Sequence, residues 1–545
     1  MNKTFITLIA LTIGIIMASA QAVYTDPISN VNYNYNLSSF EAYVSPGSNS
    51  GAGSLNAKGD VTILSSFVVE DKEYIVKGIW HDAFKNCQEI TSVTIPESVT
   101  NIYYNAFKGC TNLSTIELPN SLVELEKNVF EGCKNLTSVK MPESLKVIPE
   151  ECFYGCSSLT SIQFPSNLEQ IGQGAFLDCS ELTSIEIPST VKIIRNYAFS
   201  GCYIRNLYIS DLTAWFKISF GSGSSNPFHI DEFRRSDNNY RYLYLNGTEV
   251  TDLVIPEGIE TINSNTIIGL NLNFLTIPSS VKVIRSYAFQ ECNINNIRYL
   301  STSPIQATEG SLFYGCRIEN VHVTSIKWLC ELNASMNNSS SDSFSPLNGV
   351  NHLFIDGEEI TNVIIPEDVK VVCNSAFRGF HGIKTLKISD SVTAIGRSAF
   401  RGCYNLTSVV LGNSVTEIRS GAFLSCSNLT DISFNNGLTT IGDGAFGGCK
   451  KLSSILLPES LTTIDNQAFW NCESLIEVNM PESVTSIGVD AFLNTSIYES
   501  QPEGAYYVGN WCCGYKGEQT EEGEFIVKDG TVGVVELPNV GTISC

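Results

Sequence analysis

Phenylalanine recurs every 23 residues at Phe84, Phe107, Phe130, Phe153, Phe176 and Phe199, and the same step returns at Phe377, Phe400, Phe423, Phe446, Phe469 and Phe492. A fixed period of this size means one supersecondary unit copied along an axis, each copy burying its apolar face only against its neighbours. The chain is therefore predicted to be a solenoid, with its function on a long surface rather than in a closed pocket. Its 545 residues would otherwise suggest several domains, but repetition reduces them to one repetitive body with terminal caps.

The unit Asn105 to Lys127, NAFKGCTNLSTIELPNSLVELEK, holds two kinds of apolar position. Leu113, Ile116 and Leu118 follow an L-x-x-I-x-L spacing, and the alternation at Ile116 and Leu118 marks a short strand with those side chains inward. Pro119 stops it, since proline has no N–H for a ladder and disfavours helix at the residue before it; the same turn follows Ile95, Met141, Phe164 and Ile187. Val99, Leu122, Leu145, Leu168 and Val191, each with an isoleucine or leucine three residues on, predict a second extended segment. The Ala-Phe-x-x-Cys piece closes the circuit.

Twelve of the 18 cysteines share one repeat position: Cys87, Cys110, Cys133, Cys156, Cys179, Cys202, Cys292, Cys316, Cys403, Cys426, Cys449 and Cys472. Equivalent positions on adjacent coils lie about 5 Å apart, within reach of a disulfide, yet their Cβ vectors run parallel instead of converging. Buried free thiols that act as small apolar residues are expected. Leu270, Phe380 and Thr495 stand where the cysteine would be in other copies. The adjacent Cys512 and Cys513 lie off this ladder and read as packed or redox-active.

The period slips between Phe199 and Ile267 and between Phe313 and Phe377, and both gaps contain the same inserted pattern. Each has an amphipathic stretch around Trp215 or Trp328, then a Gly/Ser/Asn-rich loop, then a hairpin turning at Asn246-Gly247 or Asp356-Gly357. A modified coil with a short helix is predicted, with Ser222 to Asn226 and Asn337 to Ser343 projecting as loops whose composition also suits a solvated linker.

LTSIEIPSTVKIIRNYAFSGC from Leu182 and LSSILLPESLTTIDNQAFWNC from Leu452 carry a pattern, L-x-x-I-x-I-P-x-S-V-T-x-I-G-x-x-A-F-x-x-C, that resembles the leucine-rich repeats of BspA-like, or Treponema-type, surface proteins. The resemblance runs from about Ile79 to Thr495, and the Trp-bearing insert is similar to a segment common in such proteins from Bacteroidetes. It implies a leucine-rich-repeat solenoid, β-rich, with short strands stacked in parallel sheet in 23-residue repeats, two modified insert coils and a β-type N-terminal cap. It also implies export or cell-surface display and, in some members, adhesion to host matrix proteins or coaggregation; it supplies no catalytic residues. The expected plan is a signal peptide at 1–20, a cap region at 21–78, a first repeat block at 79–205, an insert coil at 206–262 and a short block at 263–319. A second insert coil at 320–372, a second main block at 373–497 and a C-terminal region at 498–545 complete it. That last region resembles the start of another repeat block that stops abruptly. No sorting or wall-attachment motif is read after Thr495, which leaves release, noncovalent tethering or an incomplete chain.

Lys3, an apolar run from Phe5 to Met17 and the small residues Ala18-Ser19-Ala20 make a secretory signal peptide cut before Gln21, too short to span a membrane. No transmembrane segment is expected in the mature chain, and the localisation is secreted or cell surface. With 33 Lys and Arg against 56 Asp and Glu the net charge is −23, which argues against nucleic acid as a partner, because phosphate binding needs a cationic footprint. His81, His229, His322, His352 and His381 show no metal-ligand spacing. P-loop, nucleophile-elbow and dinucleotide fingerprints are missing, so no enzyme, cofactor or metal is expected. The Asn-Leu-Ser/Thr sequons at Asn112, Asn135, Asn405 and Asn428 matter only in a eukaryotic source.

Comparison among the repeats singles out one outward lane. It reads Thr94, Glu117, Lys140, Gln163, Glu186 and Tyr208 in the first block and Lys387, Val410, Ser433, Leu456 and Asn479 in the second, whereas two residues earlier the chain keeps Ser92, Thr115, Ser138, Ser161 and Ser184. A variable lane beside a uniform one is what ligand contacts produce, and relaxed constraint on a solvated ladder produces it too. Val410 and Leu456 stand out, because apolar residues on an exposed sheet face belong to interfaces. The reading is an exported adhesin-like protein whose partner is a host matrix or cell-surface protein, a glycan or another bacterial cell. The alternative is an envelope spacer without a specific ligand.

Overall fold

The computed structural model describes residues 21–46, 57–229, 241–307, 312–332, 345–517, 525–535 and 543–544. It divides into two compact units, Met1–Val250 with Asn263–Asn271 and Thr251–Ile262 with Leu272–Cys545. The signal-peptide region 1–20 and Asn337 to Ser343 lie outside the described residues.

The first unit opens on a cap. Gln21–Thr25, Asn32–Asn36 and Glu41–Ser45 run antiparallel, and Glu41–Ser45 then pairs in parallel with Lys72–Ile79. Lys72–Ile79 also forms a hairpin with Ser66–Val69, turning through Glu70 and Asp71 in left-handed backbone. Alternation buries Tyr33 and Tyr35 of the second strand against Phe67 and Tyr74. Lys72–Ile79 ends beside Asn101–Ile102, so the cap leads directly into the coils.

Each coil has the predicted parts. Three-residue strands such as Thr115–Glu117, Ser138–Lys140 and Ser161–Gln163 stack in parallel and in register to form one sheet. After the proline the chain crosses to a second ladder of two-residue strands, as in Val147–Ile148, Gln170–Ile171 and Ile193–Ile194. In the first block the third side has no strands among the described residues yet keeps register, because the Phe84, Phe107 and Phe130 amides donate to the carbonyls of Ala106, Val129 and Cys152 on the next coil at 2.7 to 2.9 Å; in the short block it does pair, Phe289–Gln290 with Phe313–Tyr314. Two left-handed residues per coil bend the chain around this corner, for example Asn105 and Gly109. A Cβ on Gly109 would lie 2.3 Å from Asn86 Oδ1, so glycine serves close approach as well as φ there.

Inside the corner the phenylalanines stack. From Phe84 to Phe199 successive rings sit 5.0 to 5.6 Å apart with planes within 12°. In the second unit Phe377 to Phe492 repeat this at 5.1 to 5.4 Å. This column explains the period, because a residue out of step would leave a hole in a close-packed stack.

Both inserts contain the expected helix and hairpin. In the first unit, helix Leu212–Lys217 buries Trp215 and Phe216. Trp215 Nε1 donates to Thr266 O at 3.2 Å, and Tyr242–Leu245 turns back on Thr248–Glu249 through Asn246 and Gly247, both at positive φ. In the second unit, helix Ile326–Glu331 buries Trp328, whose Nε1 donates to Ser303 O at 3.0 Å, and His352–Ile355 turns back on Glu358–Glu359.

The loop expected to project at Ser222 to Asn226 does not. Ser225 and Asn226 are fully buried; Asn226 Nδ2 donates to Asn265 O at 2.8 Å and Thr266 O at 3.2 Å, and its Oδ1 accepts from Phe228 N at 2.8 Å. Small polar side chains let this segment tuck inward and satisfy buried backbone.

Candidate functional site

The candidate lane is built by strand register. Thr94 lies opposite Glu117, Lys140 opposite Gln163 and Glu186 opposite Tyr208 in the first unit. In the second, Lys387 lies opposite Val410, Val410 opposite Ser433, and Leu456 opposite Asn479. The inward neighbours Ile116, Val139, Leu386, Val409, Ile432 and Ile455 are buried, which forces the residues on either side of each outward, where all of the lane is exposed except Tyr208. Tyr208 is half-buried because its ring lies on Tyr244, with centroids 4.7 Å apart and planes at 15°.

In the second unit the lane has a regular chemical alternation. Ile364 lies opposite Lys387 and precedes Val410 and Leu456 in the same column, and these three apolar residues are 62%, 41% and 74% exposed. Lys387 and Ser433 intervene, and Asn479 follows Leu456. Coils at about 4.8 Å put an apolar side chain every second step, about 10 Å apart. Ile364 was not among the residues singled out from sequence, although the NVIIPEDV segment aligns with the repeat and would have given it.

The aromatic pairs at the inserts were missed as well. Tyr208 on Tyr244 has a counterpart in the second unit, where His322 stacks on Phe354 at 4.7 Å and 17°. Burial pushes the His322 imidazole below its ordinary pKa, with the Arg298 charge adding to the effect, while Arg298 sits 5.3 Å over the Phe274 ring. The available signal was the hairpin alignment: Tyr244 and Phe354 each stand two residues before the turn asparagine or aspartate.

The uniform lane is a hydroxyl ladder. Ser92 and Thr91 donate to Asp60 Oδ1 at 2.6 and 2.9 Å, and those bonds hold the Asp60 carboxyl below its ordinary range. Among the described residues no three His, Cys, Asp or Glu side chains gather as a metal would require, and no helix is long and apolar enough to cross a membrane. The face presents ordered polar and apolar columns suited to contact over area.

A family model for the BspA type leucine rich repeat region matches residues 77–205, 238–338, 350–475 and 395–512. The chain belongs to the BspA-type leucine-rich repeat family. The matched segments include the coils, the first insert's hairpin and the second insert's helix Ile326–Glu331, while helix Leu212–Lys217 falls between two of them. No curated protein matches the chain. Among solved structures, a leucine-rich repeat protein from Bacteroides ovatus is 21% identical over 86% of this chain and 92% of its own, with a TM-score of 0.29. The Treponema pallidum leucine-rich repeat protein is 28% identical over 38% of this chain and 92% of its own, at 0.32. A leucine-rich cell surface protein from Faecalibacterium prausnitzii is 21% identical over 87% and 93%, at 0.24. Family membership rests on the repeat. BspA-type membership points to a protein-interaction or surface role.

Proposed function

We propose that this BspA-type chain is an exported, non-enzymatic binding protein of the adhesin kind, which grips an extracellular macromolecule through its strand-lined face. The observation that carries the reading is the column Ile364, Val410 and Leu456, exposed at 23-residue multiples along the strand-lined face. Isolated exposed apolar residues are ordinary, whereas a spaced series along one strand face offers a partner about 25 cal/mol of stabilisation for each Å² of apolar surface it covers. Export rests on the leader at 1–20.

The test is binding of residues 21–545 to an array of extracellular-matrix proteins, mucins and glycans, beside a Val410→Glu, Leu456→Glu variant. Both side chains face solvent, so the variant is expected to fold with wild-type stability to within about 0.5 kcal/mol per site. Saturable binding to a member of the array, lost in the variant, is the expected result. Absence of binding to every class would overturn it in favour of an envelope spacer.

A further inference from the structure

A groove of 850 Å³ runs along the second unit where the loop side of each coil meets the strand face. Two repeat rows build it. Asn405, Asn428 and Lys451 come from the row just before a buried Ile or Leu, and Lys384, Thr407 and Thr430 from the row just after it. The second insert closes one end, where His352 Nδ1 and Glu359 Oε1 meet at 2.7 Å. The insert seats closely: a Cβ on Gly382 would lie 2.1 Å from Asn351 O.

The charge of this groove is opposite to that of the chain. Glu359 is the one carboxylate among its lining residues, and it is paired with His352. Lys384 and Lys451 have no carboxylate partner among the described residues, although the net charge is −23. The contrast with the first unit is direct. A smaller groove of 370 Å³ there holds Lys146, Lys192 and Lys217, but two carboxylates, Glu169 and Asp211, share its lining, and Lys146 and Lys192 are both bound to Glu169, at 3.2 and 2.8 Å. Lysines left unpaired on an acidic protein face a groove lined otherwise by the amides of Asn351, Asn405 and Asn428, three threonine hydroxyls, Gly382, His381 and the His352–Glu359 pair. At its edge His381 packs on the exposed Tyr404 ring at 5.0 Å, and Asn405 Nδ2 donates to His381 O at 2.9 Å, fixing that corner. Burial holds the His381 imidazole below its ordinary pKa, so it presents a neutral ring at neutral pH.

Ammonium groups set apart along a groove, amides between them and an aromatic edge are the groups that recognise a chain of hydroxylated rings bearing acidic substituents. We propose that this groove binds an acidic glycan, through Lys384 and Lys451 to its carboxylates or sulfates and through Asn428 and the His381–Tyr404 edge to its rings. The site is separate from the apolar column and the inference does not depend on that column's role.

The test uses residues 21–545 and three probes in low-salt buffer: heparin oligosaccharides for sulfate, polygalacturonate oligosaccharides for carboxylate, and dextran as a neutral polymer. Saturable binding to one or both acidic probes and none to dextran is expected; which acidic probe binds identifies the substituent. The Lys384→Gln, Lys451→Gln variant should lose at least tenfold in affinity. Lys450→Gln, beside Lys451 in sequence but paired with Glu473 at 2.7 Å, should lose less than twofold. Val410→Glu, Leu456→Glu should bind the acidic probe as wild type does, so failure of the apolar column and failure of the groove are read separately. Failure of both acidic probes to bind, equal binding to dextran, or an equal loss in Lys450→Gln would overturn the proposal.

Discussion

The cysteine ladder shows what a buried repeat position asks of the residue that fills it. Cys110, Cys156, Cys403 and Cys426 each point Sγ at the carbonyl of the phenylalanine one coil back, at 3.0 to 3.2 Å. The thiol fills the gap as a small apolar group, and it donates weakly to a carbonyl that already accepts the backbone N–H three residues on, as Phe84 O does from Cys87 N at 3.0 Å. Leu270, Phe380 and Thr495 are buried at the same repeat position, so the place requires a side chain that can be buried rather than sulfur itself. Burial pushes the thiols of Cys133, Cys426 and Cys472 up to about 12, so the nucleophilic thiolate is absent at neutral pH. Cys512 and Cys513 are buried too, Cys513 likewise at about 12, which favours the packed reading of that pair. Iodoacetamide treatment of the native protein at pH 8, followed by peptide mass mapping, should leave the ladder unmodified; labelling after unfolding in guanidinium should be complete. Native labelling at Cys110 or Cys403 would contradict this account.

At the scale of single elements, the inserts show what sequence could and could not give. Their helices were legible because an apolar stretch around a tryptophan follows a capping residue: Asp211 Oδ1 accepts from Thr213 N at 2.7 Å and Ala214 N at 3.1 Å, and Ser325 plays that part for Ile326–Glu331. Their hairpins were legible from Asn-Gly and Asp-Gly. The inward fold of Ser222 to Asn226 was not, because a tucked turn and a solvated linker share one composition. What decides between them is the carbonyl of Thr266, 40 residues beyond Asn226. The Tyr208–Tyr244 stack was hidden in the same way, since it exists only once the insert has returned the chain to the strand face. Asp211→Ala should therefore cost about 1 kcal/mol of the first unit's stability, with Asp211→Asn recovering most of it. Denaturant titration measures both, and equal losses in the two variants would show that the charge, not the cap, was responsible.

For the molecule as a whole, the 23-residue period was fully legible and the partner was not. The period is imposed by stacking, in which every coil meets only its neighbours, so stability should behave as a sum of coil and interface terms. Deletion of Thr407 to Leu429 removes 23 residues and joins Leu406 to Thr430. Phe400 then stands 23 residues before Phe446, Cys403 the same distance before Cys449, and the Thr430 hydroxyl takes over the Lys384 carbonyl that Thr407 holds at 3.0 Å. Every column closes on an equivalent residue. Deletion of Thr407 to Ile418 alone removes 12 residues and leaves Phe400 eleven residues before Phe423, so the phenylalanine column, both strand ladders and the thiol contacts all fall out of step. The shorter deletion should therefore be far more damaging than the longer one. Far-UV circular dichroism and thermal melting should show the 23-residue deletion as a cooperatively melting β-protein only slightly less stable than wild type, and the 12-residue deletion without a cooperative transition in the second unit. Comparable melting of the two would mean that register between coils is not what holds the fold.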